Sequence, residues 1–277
     1  MDKIWETKLI KIGEGFVKLI DTMGTDVDIE QAARVSYDKG TRQVSDTRKL
    51  IRYLMEHAHT SPFEQVEFKF HIKIPLVVFS QLVRHRTASL NVRSYRYSEF
   101  NEEFFYPTQD RYKKQDSKNK QQSGDNPIFT TEEFDSFNNK QISANQAQIK
   151  LYNELLDKGC AREIARIHLP QSAYTELFWK IDLRNLLHFL KLRLGKDAQA
   201  EITDYARAFA YYVQKICPIA WEAFEDFELY AVKFTQRELA ALSPTNLEGY
   251  NSKEKDKLLD KLRAPVKVDF SDLTEVL

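Results

Sequence analysis

Val66-Glu-Phe-Lys-Phe-His-Ile-Lys-Ile-Pro75 is the stretch that decides the fold. Val66, Phe68, Phe70, Ile72 and Ile74 alternate with Glu67, Lys69, His71 and Lys73, the period of two of a strand with one buried and one wet face. Pro75 ends the strand and suits the first turn of a helix, predicted over residues 76 to about 86. On such a helix Gln81, Arg84 and His85 stand at i, i+3 and i+4 and share a polar patch at the C-terminal end, where the dipole favours cations. His71 points to the wet face and reads as solvated. Residues 174–181 form a second strand of this kind and residues 16–21 an earlier one.

Working outward, the pattern between the strands is helical. Asp28 is placed to cap a helix over 29–35, Asp46 one over 47 to about 57, Asp182 one over 183–194, and Asp197 the longest, whose stripe Ile202, Tyr205, Phe209, Val213 and Ile216 ends before Pro218. Further helices are predicted through Ile149 and Tyr152 to a stop at Gly159, over 161–167, over about 221–232, and over about 253–262. Residues 108–147 are polar and almost without aliphatics, which reads as a mobile insertion. Domain organisation follows as one domain over 1–232 and a C-terminal extension over 233–277.

Composition narrows the function classes. The 277 residues are 42 % hydrophobic and 30 % charged, with 41 basic against 41 acidic side chains. That balance argues against bulk attraction to nucleic acid or anionic membranes. Apolar runs are too short to span a bilayer and no signal-type run opens the chain, so a cytoplasmic protein is expected. Cys160 and Cys217 lack metal-binding spacing and read as small buried apolar residues. Only eight glycines occur, where average usage of roughly 7 % gives about nineteen. Gly13-Glu-Gly15 lacks the third glycine of a dinucleotide turn, so any nucleotide must be held by side chains.

Arginine supplies them. Residues 81–97 bring Arg84, His85, Arg86, Arg93, Ser94, Tyr95, Arg96 and Tyr97 together, and no carboxylate stands between Glu67 and Glu99. Uncompensated guanidiniums that donate in fixed geometry suit phosphorylated small molecules. Beyond the predicted helix this stretch reads as loop, with 95–97 extended. Tyr95 and Tyr97 fit a core and a stacking surface equally. His57 and His59 lack a third metal ligand, no metal is expected, and Arg162 reads as a surface residue. Arg184 and His188 share a helical face, whereas Arg193, nine residues beyond Arg184, falls on the opposite side, so that if all three serve ligands the helix serves two pockets or two parts of a large one. Ser94 has no adjacent base and reads as a hydrogen-bond donor rather than a nucleophile.

Arg84-His85-Arg86, then seven residues, then Ser94, resembles the signature of the flavin-dependent thymidylate synthases. His59-Thr-Ser-Pro-Phe-Glu64, Ala165-Arg166-Ile-His-Leu-Pro170 and Trp179-Lys-Ile-Asp182-Leu-Arg184 resemble the family's other landmarks in order. The resemblance implies an α+β fold, an antiparallel sheet packed with helices plus a helical subregion, assembled as a homotetramer with sites shared between subunits. It implies reductive methylation of dUMP to dTMP, with 5,10-methylenetetrahydrofolate as carbon donor and FAD reduced by NADPH as hydride source. Carried over by position, His59, Ser61, Glu64, Arg84, His85, Arg86, Val92, Asp182, Arg184 and His188 would meet FAD. Gln81, Arg84, Val92, Arg93, Ser94, Tyr95, Arg96, Arg166 and Arg193 would meet dUMP, with Arg193 catalytic. Val92 stands where many relatives have Glu, and Asp182 and His188 where many have Asn. Two rival readings are a single-stranded nucleic-acid binder, from the interleaved Arg93-Ser-Tyr-Arg-Tyr97, and a non-catalytic nucleotide-binding regulator, raised by Val92.

Overall fold

The strand that opens the sequence argument lies inside a six-stranded antiparallel sheet. In this computed structural model, which describes residues 9–35, 46–117, 119–120, 122–242 and 267–276, the strands are β1 (Leu9–Ile12), β2 (Gly15–Met23), β3 (Glu67–Pro75), β4 (Ser89–Val92), β5 (Lys113–Gln115), β6 (Ser123–Pro127), β7 (Tyr174–Asp182) and β8 (Glu275–Val276). Their order in the main sheet is β4-β7-β3-β2-β1-β8, while β5 and β6 form a separate hairpin. The helices are α1 (Asp26–Arg34), α2 (Thr47–Glu56), α3 (Leu76–Leu82), α4 (Thr131–Asp157), α5 (Arg162–Ala165), α6 (Leu183–Arg193), α7 (Ala200–Ile216), α8 (Pro218–Phe224) and α9 (Gln236–Leu242).

The alternation read from β3 sets the two faces of the sheet. Phe68, Phe70, Ile72 and Ile74 are fully buried, and register places Phe70 opposite Trp179 and His71 opposite Phe178. On the inner face Phe209 of α7 meets Phe70 at 4.8 Å and Trp179 at 5.2 Å, and Phe189 of α6 meets Trp179 at 5.5 Å. Rings at these separations contribute beyond the area they bury. α7 also reaches the sheet edge-on: Tyr205 donates its hydroxyl to the Lys73 carbonyl at 2.8 Å. Gly15 makes room for that contact, since a Cβ there would lie 2.2 Å from the Tyr205 oxygen. The outer face keeps His71, Glu176 and Phe178, the last 42 % exposed.

Local chemistry explains the helix ends. Asp46 and Asp182 cap α2 and α6 as expected, each accepting backbone N–H groups of the first turn. Asp28 does not cap α1. Thr25 does, and Asp28 is the third residue of the reciprocal capping box. Asp197 does not cap α7 either: that helix begins at Ala200 after Gln199, whose side chain makes no cap bond, and Asp197 accepts instead from Gln122. Gly159, with φ +79°, closes α4 while the Cys160 N–H returns to the Leu155 carbonyl, the bonding of a Schellman stop.

Several expectations are corrected. α3 ends at Leu82, not near 86, because Leu82 drops into the core and the N–H groups of Arg84 and His85 bond three residues back, which tightens the last turn. Part of the expected loop is strand β4, paired with β7, and Ser94 to Tyr97 is a turn rather than extended. The polar 108–147 segment is not structureless. It holds the β5–β6 hairpin and the first turns of α4, which starts at a Thr130 capping box. The predicted 161–167 helix is α5 followed by a 3-10 turn, and the 221–232 helix is α8 followed by a π-helical turn over Glu225–Leu229. Of the tail, the expected helix at 253–262 lies outside the described residues. The final strand β8 pairs with β1, and Phe270 packs against Trp221.

Candidate active site

Side chains singled out in the sequence assemble into two separate half-sites. The first lies on the helix side of the sheet. His85 turns back from the end of α3 onto α6, its ring edge-on to Phe189 at 4.8 Å and 6.2 Å from the ring of His188. Arg193 donates from Nε to His85 Nε2 at 3.2 Å. Burial, with Arg193 and His188 beside it, pushes the His85 imidazole down to about 4, so it stays neutral and accepts that bond. Arg193 is half-buried without a carboxylate partner among the described residues, and burial lowers its pKa. It still carries its charge, since guanidinium does not deprotonate in proteins. Arg193 ends α6 and, like His188, comes against His85, but it is not among the residues that line the cavity shared by Arg184 and His188.

Next to His188 a cavity of about 150 Å³ is lined by Arg184, His188, Thr60, Phe63, Lys191 and Glu228, among others. Arg184 lies 3.6 Å from Glu64 of the one-turn helix Ser61–Gln65. Asp182 spends both carboxylate oxygens on Asn185 and so supports α6 rather than facing the cavity. Ser61 and His59 open onto a different cleft beside α1, with His59 edge-on to Tyr53 at 5.9 Å. Gln81 donates to Gln199 at 2.6 Å. Arg84 and Arg86 are exposed and have no carboxylate partner among the described residues, the state expected of side chains kept for an anion.

The second half-site lies on the outer face. A groove of about 550 Å³ is lined by His71, Asn91, Val92, Arg93, Ser94, Tyr97 and the β7 residues Glu176 to Phe178. Ser94 Oγ accepts the Arg96 N–H at 3.3 Å, which leaves its hydroxyl free to donate. Arg96 pairs with Glu163 at 3.1 Å, and Arg166, three residues further on, donates among the described residues only to the Glu163 carbonyl at 3.4 Å.

Three readings change here. Arg93 and Arg96 are compensated after all, by Glu176 at 3.7 Å and by Glu163. Those carboxylates lie about seventy to eighty residues downstream in the chain, out of reach of a local charge scan. His71 is not simply solvated: Nε2 lies 2.9 Å from Glu176 and the ring stacks on Phe178 at 5.0 Å. Tyr95 is core, 8 % exposed and bonded through its hydroxyl to the Tyr174 carbonyl, whereas Tyr97 is 79 % exposed. A stacking platform needs both rings outside, so the single-stranded nucleic-acid reading loses its basis. Val92 packs against the core from the end of β4. Cys217 is buried and its thiol pushed well up by that burial, while Cys160 is only partly buried. Arg162 is a surface residue, as read, paired with Glu99 at 2.9 Å. Lys191, Glu228, Glu163 and Glu176 were not singled out, because none stands in a motif and only folding brings them to the arginines.

An antiparallel sheet backed by helices, arginines without glycine loops and a neutral histidine under a half-buried guanidinium point to an enzyme of phosphorylated small molecules rather than a nucleic-acid binder. A family profile described as "Thymidylate synthase complementing protein" matches residues 18–219. The chain is 49 % identical over 231 residues, 83 % of each chain, to the "Flavin-dependent thymidylate synthase" of Thermus thermophilus. It is 43 % identical over 272 residues to that of Dictyostelium discoideum, covering 92 % of this chain and 88 % of that one. Among solved structures it resembles the UMP/dUMP methylase PolB from Streptomyces cacaoi bound with 5-Br UMP, with TM-score 0.70 and 34 % identity over 79 % of this chain and 96 % of that one. The chain belongs to the flavin-dependent thymidylate synthases.

Among the described residues no helix is long and apolar enough to cross a membrane, and no group of three or more His, Cys, Asp or Glu side chains could hold a metal ion.

Proposed function

We propose that the protein methylates dUMP to dTMP, with 5,10-methylenetetrahydrofolate as carbon donor, FAD as its flavin and NADPH as the reductant. The observation that carries this is the pairing of Arg193 with a neutral His85 beside the Arg184–His188 cavity. A guanidinium held by a neutral acceptor keeps its full charge for a ligand.

The residues fit a flavin dinucleotide. Arg84, Arg86 and Arg184 offer charge to a pyrophosphate, and Phe63, Leu187 and Phe224 give the cavity an apolar wall. Reduced flavin supplies hydride chemistry when bound. The chain's own part is to bind and polarise the pyrimidine. Arg193 donates to the oxygen or nitrogen on which negative charge develops as the ring is activated, and a well-placed donor of this kind contributes about 3 kcal/mol. Ser94, Arg96 and Arg166 hold the nucleotide phosphate and Gln81 the base side. Neither cysteine offers the thiolate that the alternative, covalent route to thymidylate needs: Cys217 is buried with a raised pKa, and Cys160 lines neither cavity nor groove.

Size argues for a shared site. Small-molecule pockets usually measure ~300 to 1,000 Å³, and the cavity beside His188 is about 150 Å³. Of the residues assigned to the nucleotide, Arg193 meets His85 on the helix side while Arg93 and Ser94 line the outer groove, which supports a site shared between chains. A second copy completes the site, in keeping with a homotetramer. Purified protein is expected to be yellow or to bind added FAD and to form dTMP from dUMP. Colourless protein that gains no flavin absorbance with FAD overturns the proposal.

A further inference from the structure

We infer that Glu163 is a built-in stand-in for the substrate phosphate, a carboxylate that occupies Arg96 until a dianion displaces it. The inference rests on the reading that Ser94, Arg96 and Arg166 receive the phosphate of dUMP. Glu163 Oε2 lies 3.1 Å from Arg96 Nη2. Glu163 and Arg166 are three residues apart at the junction of α5 and its 3-10 extension, which turns both toward the same neighbourhood. Arg166 has no carboxylate of its own among the described residues and touches only the Glu163 carbonyl. The backbone N–H of Arg96 bonds to Ser94 Oγ, which ties Arg96 to the neighbouring serine. Nearby Arg162 is already paired with Glu99 at 2.9 Å. The carboxylate that pairs with Arg96 is therefore supplied by the residue whose backbone carbonyl also meets Arg166.

This arrangement selects by charge. A ligand that takes both arginines must remove Glu163 from Arg96 and then sit near a displaced carboxylate. A phosphate monoester, with close to two negative charges at neutral pH, gains from two guanidiniums enough to do so. A phosphodiester or a carboxylate, with one charge, exchanges like for like. Glu163 so makes Arg96 and Arg166 favour terminal monophosphates while keeping Arg96 paired until one arrives. Both partners are about half exposed, and exposed pairs are weak, so the exchange costs little and stays reversible.

The test uses the full-length protein and two probes, inorganic phosphate followed by 31P NMR and dUMP followed by calorimetry at pH 8. The proteins are wild type, Glu163→Gln, Arg96→Ala and the double variant, with folding checked by circular dichroism. Glu163→Gln is expected to bind inorganic phosphate about two- to five-fold more tightly, the range of an exposed ion pair, and to bind dUMP more tightly by a similar factor. In the Arg96→Ala background the same substitution should change phosphate affinity little, because the contact it frees is gone. Unchanged or weaker phosphate binding in Glu163→Gln overturns the inference, as does a gain that persists without Arg96, which would mark a general charge effect. If Glu163→Gln gains phosphate affinity and neither protein binds dUMP, the stand-in role holds and the dUMP reading fails.

Discussion

Arg193 is the residue on which substrate chemistry and fold meet. Its guanidinium is half-buried and bonded to an imidazole that stays neutral. Replacing it with alanine removes the proposed donor to the pyrimidine while leaving Arg184, His188 and the cavity they line in place. Arg193→Ala is expected to lower turnover to dTMP by about 10²- to 10³-fold, the usual cost of one such donor, with flavin absorbance retained on gel filtration. Loss of the flavin would instead assign Arg193 to the cofactor. The depressed His85 pKa gives a second test. The unfolded imidazole takes up a proton near its ordinary value of 6.5, whereas the folded one resists until about 4, so the unfolded state binds more protons between those values and stability must fall as pH falls through that window. The melting temperature of wild type should drop between pH 6.5 and 4, and His85→Gln should show a shallower drop; equal slopes would contradict the neutral imidazole. Residue identities of this kind were partly legible in the sequence. Among the described residues Arg84 and Arg86 stand without carboxylate partners, as the lack of acidic residues between Glu67 and Glu99 suggested, but the partners of Arg93 and Arg96 come from β7 and α5, and no scan along the chain brings Glu176 or Glu163 to them.

At the scale of elements, periodicity carried most of the structure. The alternation in β3 and β7, the aspartate caps of α2 and α6 and the stripe of α7 are local signals, and the fold keeps them because each agrees with the common core. What local pattern missed was decided by tertiary contacts. β8 is a two-residue edge strand whose partner β1 lies at the opposite end of the chain, and α3 stops where Leu82 enters the core and His85 turns onto α6. The polar segment misled for another reason: low hydrophobicity reads as disorder, yet α4 needs only the stripe that ends in Ile149 and Tyr152 plus a capping box. The β5–β6 hairpin remains apart from both half-sites, touching the α6–α7 connection through Gln122 and Lys196. Lys113 and Pro127 are register partners, so their chain ends already lie side by side. Excising residues 114–126 is expected to leave flavin content unchanged and dTMP formation within about twofold, since surface loops are tolerant of such changes. A loss of flavin or of turnover would show that the hairpin covers part of the site.

For the whole molecule the central fact is division. His85, Arg193 and the Arg184 cavity lie on the helix side of the sheet, while Ser94 and Arg93 face the groove on its outer side. If the proposed assembly completes each site from two copies, two inactive variants should rescue one another. Arg193→Ala mixed with Arg166→Ala, dissociated and reassembled, should recover up to about a quarter of wild-type activity, because each half is intact in half of the randomly mixed chains. No recovery from mixed oligomers would place the whole site in one chain. The most direct test of the account as a whole is a single turnover without oxygen. The FAD-loaded protein is reduced with NADPH, freed of excess reductant and given dUMP with 5,10-methylenetetrahydrofolate. dTMP is expected in an amount equal to the flavin that returns to its oxidised spectrum; flavin that stays reduced, or reoxidises with dUMP recovered unchanged, would overturn the proposed reaction.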